Sequence, residues 1–297
     1  MIGKTELKIL RGFDEGDTLN DVMEKLKISK GKLSVATKNL ERLGFIVRER
    51  CNKKILLKRG NAKHASLFYD FLREYPSLPI EKLLTERRIT MLSVIDNEVG
   101  IIAKITGVTS QTVYNAIRDF LRYGILIKKE GYTINPRHRL LKAFVFEFQS
   151  FLNRIERTKV DRKAILIWEK GPEFLIKTNN IIREKNYHLT ALSVFKDFGL
   201  FFISSYNYYF YSKRDITTSD IILHTILIEP SSKANIAYAC LLYQRIRPEN
   251  LMKIARIYKM EDKAERIMRY VDEKEDFEDF PDRKEYNELL GEYGVVE

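Results

Sequence analysis

Two runs of cationic, hydroxyl and amide side chains, eighty positions apart, carry the most promising chemistry in this chain. The first holds Lys30, Lys32, Ser34, Thr37 and Lys38 with Glu41, followed by Arg48, Arg50, Lys53 and Lys54. The second holds Ser110, Gln111, Thr112, Tyr114, Asn115, Arg118 and Arg122, followed by Lys128 and Lys129. Lysine and arginine suit phosphate oxygens and guanine edges. The amides of Gln111 and Asn115 carry the donor and acceptor that complement adenine.

This chemistry is expected to bind rather than to make or break bonds. His64, His138, His188 and His224 lie in separate segments without metal-ligand spacing. G-x-G-x-x-G, G-x-x-x-x-G-K-[ST], G-x-S-x-G and H-E-x-x-H are all missing. Glu275, Asp276, Glu278 and Asp279 cluster, but on an acidic stretch with no framing core. Cys51 and Cys240 form neither a metal motif nor a disulfide framework, which fits a reducing cytoplasm. The expectation is a protein that is not an enzyme, with no cofactor and no metal. No secretory leader is visible, and no run of about 18 apolar residues exists, so no membrane partner is expected.

Charge is unevenly spread. The net formal charge is +11, but residues 1–160 hold 31 Lys+Arg against 18 Asp+Glu, and residues 161–297 hold 21 against 23. A basic excess confined to one half is the footprint of a polyanion partner; the alternative is a lysine-rich solvated surface.

The elements that must position these side chains repeat. Residues 28–50 (ISKGKLSVATKNLERLGFIVRER) align without a gap on 108–130 (VTSQTVYNAIRDFLRYGILIKKE). Leu33, Ala36, Leu40 and Leu43 recur at three- and four-residue steps, as do Val113, Ala116, Phe120 and Tyr123, giving each segment one apolar helix face. Ser29 and Thr109 can cap those helices, and Gly44 and Gly124 stand where a helix ends left-handed. A short strand, a turn (Cys51–Lys53; Glu130–Gly131) and a second strand follow. Upstream, two more helices are expected in each copy: Glu6–Gly12 and Leu19–Leu26 capped by Asp17 or Thr18, then Glu86–Ile95 and Glu98–Thr106 capped by Asp96 or Asn97.

This order, carried by LNDVMEKLKISKGKLSVATKNLERLGFIVRER and EVGIIAKITGVTSQTVYNAIRDFLRYGILIKKE, resembles the winged helix-turn-helix family. The resemblance implies that the third helix of each copy enters the major groove, while the hairpin follows the backbone or the minor groove. The first copy then reads as a charge-driven binder, and the second holds the richer hydrogen-bonding set.

The expected organisation is a winged helix over 1–60, a helical connector over 61–82, a second winged helix over 83–136, a linker helix over 137–158, and an α+β domain over 159–297. The fold class is mostly α with an α+β C-terminal domain. Leu141, Phe144, Val145, Phe148, Leu152 and Ile155 stripe the linker helix; they pack on their own domains or form a homodimer seam. The C-terminal half is expected as a strand over Ala164–Trp168, helices over Pro172–Lys185 and His188–Gly199, strands at FFISS and YNYYFY, and a long strand at DIILHTILIE. Helices follow over Ala234–Gln244, from Pro248 as first helical residue, and over EDKAERIMRYVDE. Residues 271–297, with 11 acids and 3 bases, read as a solvated tail. The order LTALSVF, ILHTILIE, alanine-rich helix and closing helical pair is similar to AbiEi-type antitoxins of type IV toxin–antitoxin systems. That resemblance implies a nucleotidyltransferase-like toxin partner.

The functional expectation is a regulator of transcription that binds double-stranded DNA sequence-specifically. The alternatives are an antitoxin or adaptor whose C-terminal domain holds a protein partner, and a non-specific chromatin protein.

Overall fold

The computed structural model describes residues 1–52, 54–202 and 204–295. The fold is mostly α with an α+β C-terminal part. The chain divides into two compact units, Met1–Leu152 and Asn153–Glu297.

The first unit opens with α1 (Lys4–Gly12), α2 (Leu19–Leu26) and α3 (Lys30–Arg42), then the hairpin β1 (Ile46–Cys51) and β2 (Lys54–Arg59). A connector of α4 (Lys63–Glu74) and α5 (Ile80–Leu83) follows, helical as expected. That copy is α6 (Glu86–Ser93), α7 (Val99–Thr106), α8 (Ser110–Arg122) and the hairpin β3 (Leu126–Lys128) with β4 (Tyr132–Ile134). α9 (Arg139–Val160) comes next.

The repeat holds at the level of bonds. α2 and α7, and α3 and α8, start and stop at the same eighty-residue offset. Lys27 and Gly107 are left-handed at the turn between each pair. Gly44 and Gly124 take φ of +73° and +67°, and the next amides, of Phe45 and Ile125, close on Leu40 and Phe120 at 2.9 Å. That is the bond pattern of a helix stopped by a left-handed residue. Thr18 caps α2 in a reciprocal box with Asp21, whose carboxyl lies below its ordinary range because the Thr18 backbone N–H donates to it. Thr109 caps α8 as expected; Ser29 stands at the cap of α3 without a side-chain bond. Glu98, and neither Asp96 nor Asn97, occupies the cap of α7.

α9 buries Leu141, Phe144, Val145 and Phe148 within its own unit. Phe148 and Phe144 meet Phe45 at 5.3 and 6.2 Å between ring centroids, and Phe68 and His64 close the cluster. This part of the stripe is core. The two copies are tied together: the Ile2 amide donates to Glu86 Oε2 and the Glu86 amide to the Ile2 carbonyl, each at 2.9 Å. Arg11 bonds Glu81 at 3.2 Å.

The second unit contains a four-stranded antiparallel sheet in the order β5-β6-β8-β7, formed by β5 (Ile165–Lys170), β6 (Glu173–Thr178), β7 (Tyr187–Leu189) and β8 (Asn207–Tyr211). Helices α10 (Thr218–Ile228), α11 (Lys233–Ile246), α12 (Leu251–Tyr258), α13 (Glu261–Asp272) and α14 (Arg283–Glu292) follow. Several expectations are corrected here. Pro172–Lys185 holds strand β6, turned from β5 at Gly171, and the segment before Gly199 is a 3-10 helix over Ala191–Phe198. DIILHTILIE is a helix. It is apolar on every side because it is buried on every side, and a Thr217–Asp220 capping box starts it. A run without periodicity cannot distinguish strand from buried helix. Pro248 precedes α12, which is capped at Asn250. Phe201 and Phe202 lie in no strand, and the rest of that expected strand includes Ile203, outside the described residues. β5 is an edge strand with Ile165 and Leu166 exposed, not a buried one. The acidic end is folded: Phe280, Tyr286 and Leu290 are buried, Lys263 and Arg266 bind Asp279, and Arg283 binds Asp276 at 2.8 Å.

Candidate nucleic-acid interface

Burial fixes which way each repeated helix faces. Leu33, Ala36, Thr37 and Leu40 of α3 point inward, as do Val113, Ala116, Ile117 and Phe120 of α8. The opposite side of α3 is the line Gly31, Val35, Lys38, Arg42, at steps of four, three and four; all four are exposed. On α8 the same line is Gln111, Asn115, Arg118, Arg122.

Thr37 requires a correction. It was expected on the outward face but is fully buried, its hydroxyl donating to the carbonyls of Leu33 at 2.9 Å and Ser34 at 3.2 Å. A threonine can satisfy its hydroxyl on its own helix, so its polarity does not oblige it to face water. Lys30, Lys32 and Lys38 are exposed, Ser34 is half-buried, and none of the three lysines joins an ion pair with a described residue.

On the first hairpin Arg50 and Lys54 are exposed. Arg48 is half-buried and engaged, its guanidinium held by Glu41 at 2.7 Å with a second bond through Nε at 2.8 Å. Lys53 lies outside the described residues. The hairpin is anchored by a bridge between Thr18 and Leu56. Between the start of α2, the start of α3 and β2 lies a cleft of about 520 Å³, with Lys30 and Lys54 among its lining residues.

The second module differs. Gln111 Nε2 and Arg118 Nη2 both donate to Asn115 Oδ1, at 3.2 and 3.4 Å, so the outward line is a linked amide and guanidinium row. Ser110 and Tyr114 are exposed; Thr112 is half-buried, its hydroxyl 2.9 Å from that of Thr109. Lys128 and Lys129 are exposed on a hairpin of three-residue strands. At the inner side of α8, Lys82 and Arg88 bind Asp119 at 2.8 and 2.7 Å; chiefly the Lys82 bond holds its carboxyl below the ordinary range. This clamp fixes the helix to the connector and to α6.

Sequence reasoning misses three residues of the outward lines: Gly31, Val35 and Arg42. The signal for all three is present, because each falls half a turn from the Leu33–Ala36–Leu40 stripe.

One other cluster has catalytic residue types. In the second unit Arg214, nearly buried, donates to Glu173 at 2.9 Å, to Asp220 at 2.7 Å and to the Tyr258 hydroxyl at 2.8 Å. Tyr258 donates to Asp220 at 2.7 Å, so His224 Nε2–H donates to Tyr258 at 2.7 Å and His224 Nδ1 accepts from Thr190 at 2.8 Å. Burial alone would raise the Asp220 carboxyl, but the attraction and hydrogen bond of Arg214 outweigh it and hold it low. Burial raises Glu173 against the same guanidinium and lowers His224 to about 3. Asp220, His224 and Tyr258 are buried, and each polar head is satisfied by its neighbours. The cluster ties β6, α10, α12 and the loop after β8 into one core. Among the described residues no group of three His, Cys, Asp or Glu side chains is disposed to hold a metal ion, and no helix is long and apolar enough to cross a membrane.

Over residues 184–295, within the second unit, the chain matches a protein-family model described as HVO_2833_C, C-terminal. That family is neither a winged-helix nor an AbiEi family. No curated protein and no solved structure matches the chain.

Proposed function

We propose that this protein binds double-stranded DNA sequence-specifically through two winged helix-turn-helix modules and regulates transcription. The observation that carries this reading is the pair of outward lines on α3 and α8. They fall in the same register of two repeated three-helix-and-hairpin modules, every residue of both lines except the half-buried Asn115 is exposed, and both are cationic or amide-rich. A helix of that kind fits the major groove, with its outer side chains at base edges and its hairpin along the backbone. The basic excess of residues 1–160 supplies phosphate attraction.

Selection of the full chain against a pool of random duplexes tests it. A specific regulator enriches one sequence and binds it about a thousandfold or more tighter than random duplex. A pool that remains random after repeated rounds overturns the reading.

A second reading, an adaptor of the antitoxin kind, draws on the second unit. Phe201 is 84% exposed, and its neighbour Phe202 packs 4.9 Å from Tyr238, which lines a groove of about 220 Å³ between α11 and α14. The antitoxin resemblance loses one of its elements, because its expected strand DIILHTILIE lies almost entirely in helix α10. Co-purification of one stoichiometric protein partner, lost in Phe201→Ser, would favour this reading.

A further inference from the structure

We infer that Val35 reads a thymine in the duplex bound by the first module, through the 5-methyl group of the base; the inference rests on the DNA-binding function proposed above. Val35 is 69% exposed although it sits mid-helix in α3. A lone exposed apolar side chain is ordinary on a protein surface. This one is placed where a base edge would be met. It stands on the outward line between Gly31 and Lys38, with Lys32 at its side.

Gly31 sharpens the placement. A side chain there would meet no atom within 4 Å, so the fold does not require glycine at that position. Its absence of a side chain leaves the isopropyl group of Val35 as the first side chain along the outward line. The lysines at either side reach phosphates, while valine has neither donor nor acceptor. Of the base-edge features in the major groove, the thymine methyl is the one an alkyl group can recognise.

The second module supplies the contrast. Its counterpart of Val35 is Asn115, whose Oδ1 is held by Gln111 and Arg118. One register position is therefore alkyl in one module and amide in the other. The two halves of a composite site would be read by different chemistry, methyl contact in the first and hydrogen bonding in the second.

The test replaces thymine by deoxyuridine, one position at a time, in the duplex enriched by the full chain, which deletes a single methyl group. Binding is measured for the parent and for Val35→Ala, with circular dichroism to confirm that the variant keeps its unfolding midpoint. One substitution should weaken the parent roughly fourfold, the worth of one buried methyl group. Val35→Ala, with a shorter alkyl group, should distinguish the thymine from the uracil duplex less than the parent does. If no uracil position distinguishes parent from variant while the enriched duplex is still preferred, the thymine inference is overturned and DNA binding stands. If no duplex is preferred at all, both are overturned.

Discussion

Replacing His224 by Gln should remove much of the stability that the second unit loses between pH 6.5 and 5. His224 is buried with both ring nitrogens engaged, Nδ1 by Thr190 and Nε2 by Tyr258, and burial lowers its pKa from 6.5 to about 3. The unfolded chain therefore binds a proton that the folded chain refuses between those two values. The sign follows: stability is complete above pH 6.5 and is lost as pH falls toward 3. The whole window is worth about 5 kcal/mol at 1.36 kcal/mol per pH unit, of which about 2 kcal/mol falls between pH 6.5 and 5. Glu173, raised by burial, titrates with the opposite sign, so the quantity to read is the difference between parent and variant. The chain has one tryptophan, and Trp168 lies 5.2 Å from the Tyr258 ring, so its fluorescence reports this core directly. In urea unfolding at pH 6.5 and 5, the parent should lose about 2 kcal/mol more than His224→Gln. At neutral pH the variant should itself be less stable by about 1–3 kcal/mol, for the hydrogen bonds it cannot fully replace. An equal loss in both proteins would refute the assignment of the acid response to His224.

Two glycines should part company. Gly60→Ala places a methyl group against the Gly44 carbonyl and should cost about 3 kcal/mol in thermal or urea unfolding. Gly124→Ala meets open space and bears only the strain of φ +67°, about 1 kcal/mol. Two hairpin cations should also differ. Lys54→Ala should lower the salt slope of duplex binding by about one. Arg48→Ala should change the slope less, because Glu41 already engages that guanidinium. Equal slopes for the two variants would contradict the placement.

The repeated modules were legible because three independent signals coincide on them. A three-four apolar step, a hydroxyl at the helix start and a glycine at its end all recur at one offset. The first hairpin was equally plain, since strand composition flanks a short polar turn. Polarity alone misplaces Thr37, because the helix phase set by Leu33, Ala36 and Leu40 buries it. Val35 and Arg42 follow from the same phase. In the second unit the signals fail for a different reason. α10 and β6 are buried on both sides, so neither alternation nor a helical stripe survives in their sequences. The capping box Thr217–Asp220 was the remaining clue to α10. The Arg214 cluster could not be read from sequence, because Glu173, Arg214, Asp220 and Tyr258 are brought together across separations of up to 85 residues by the fold alone.

The most direct test of two cationic modules on a duplex is the salt dependence of binding. Lys30, Lys32, Lys38, Arg50 and Lys54 on the first module, with Arg118, Arg122, Lys128 and Lys129 on the second, are exposed to solvent. Anisotropy of a labelled, enriched duplex with the full chain, titrated across rising potassium chloride, should give a log–log slope between about −4 and −8, near one per phosphate contacted. A slope shallower than about −1, or no duplex binding at low salt, would contradict the account.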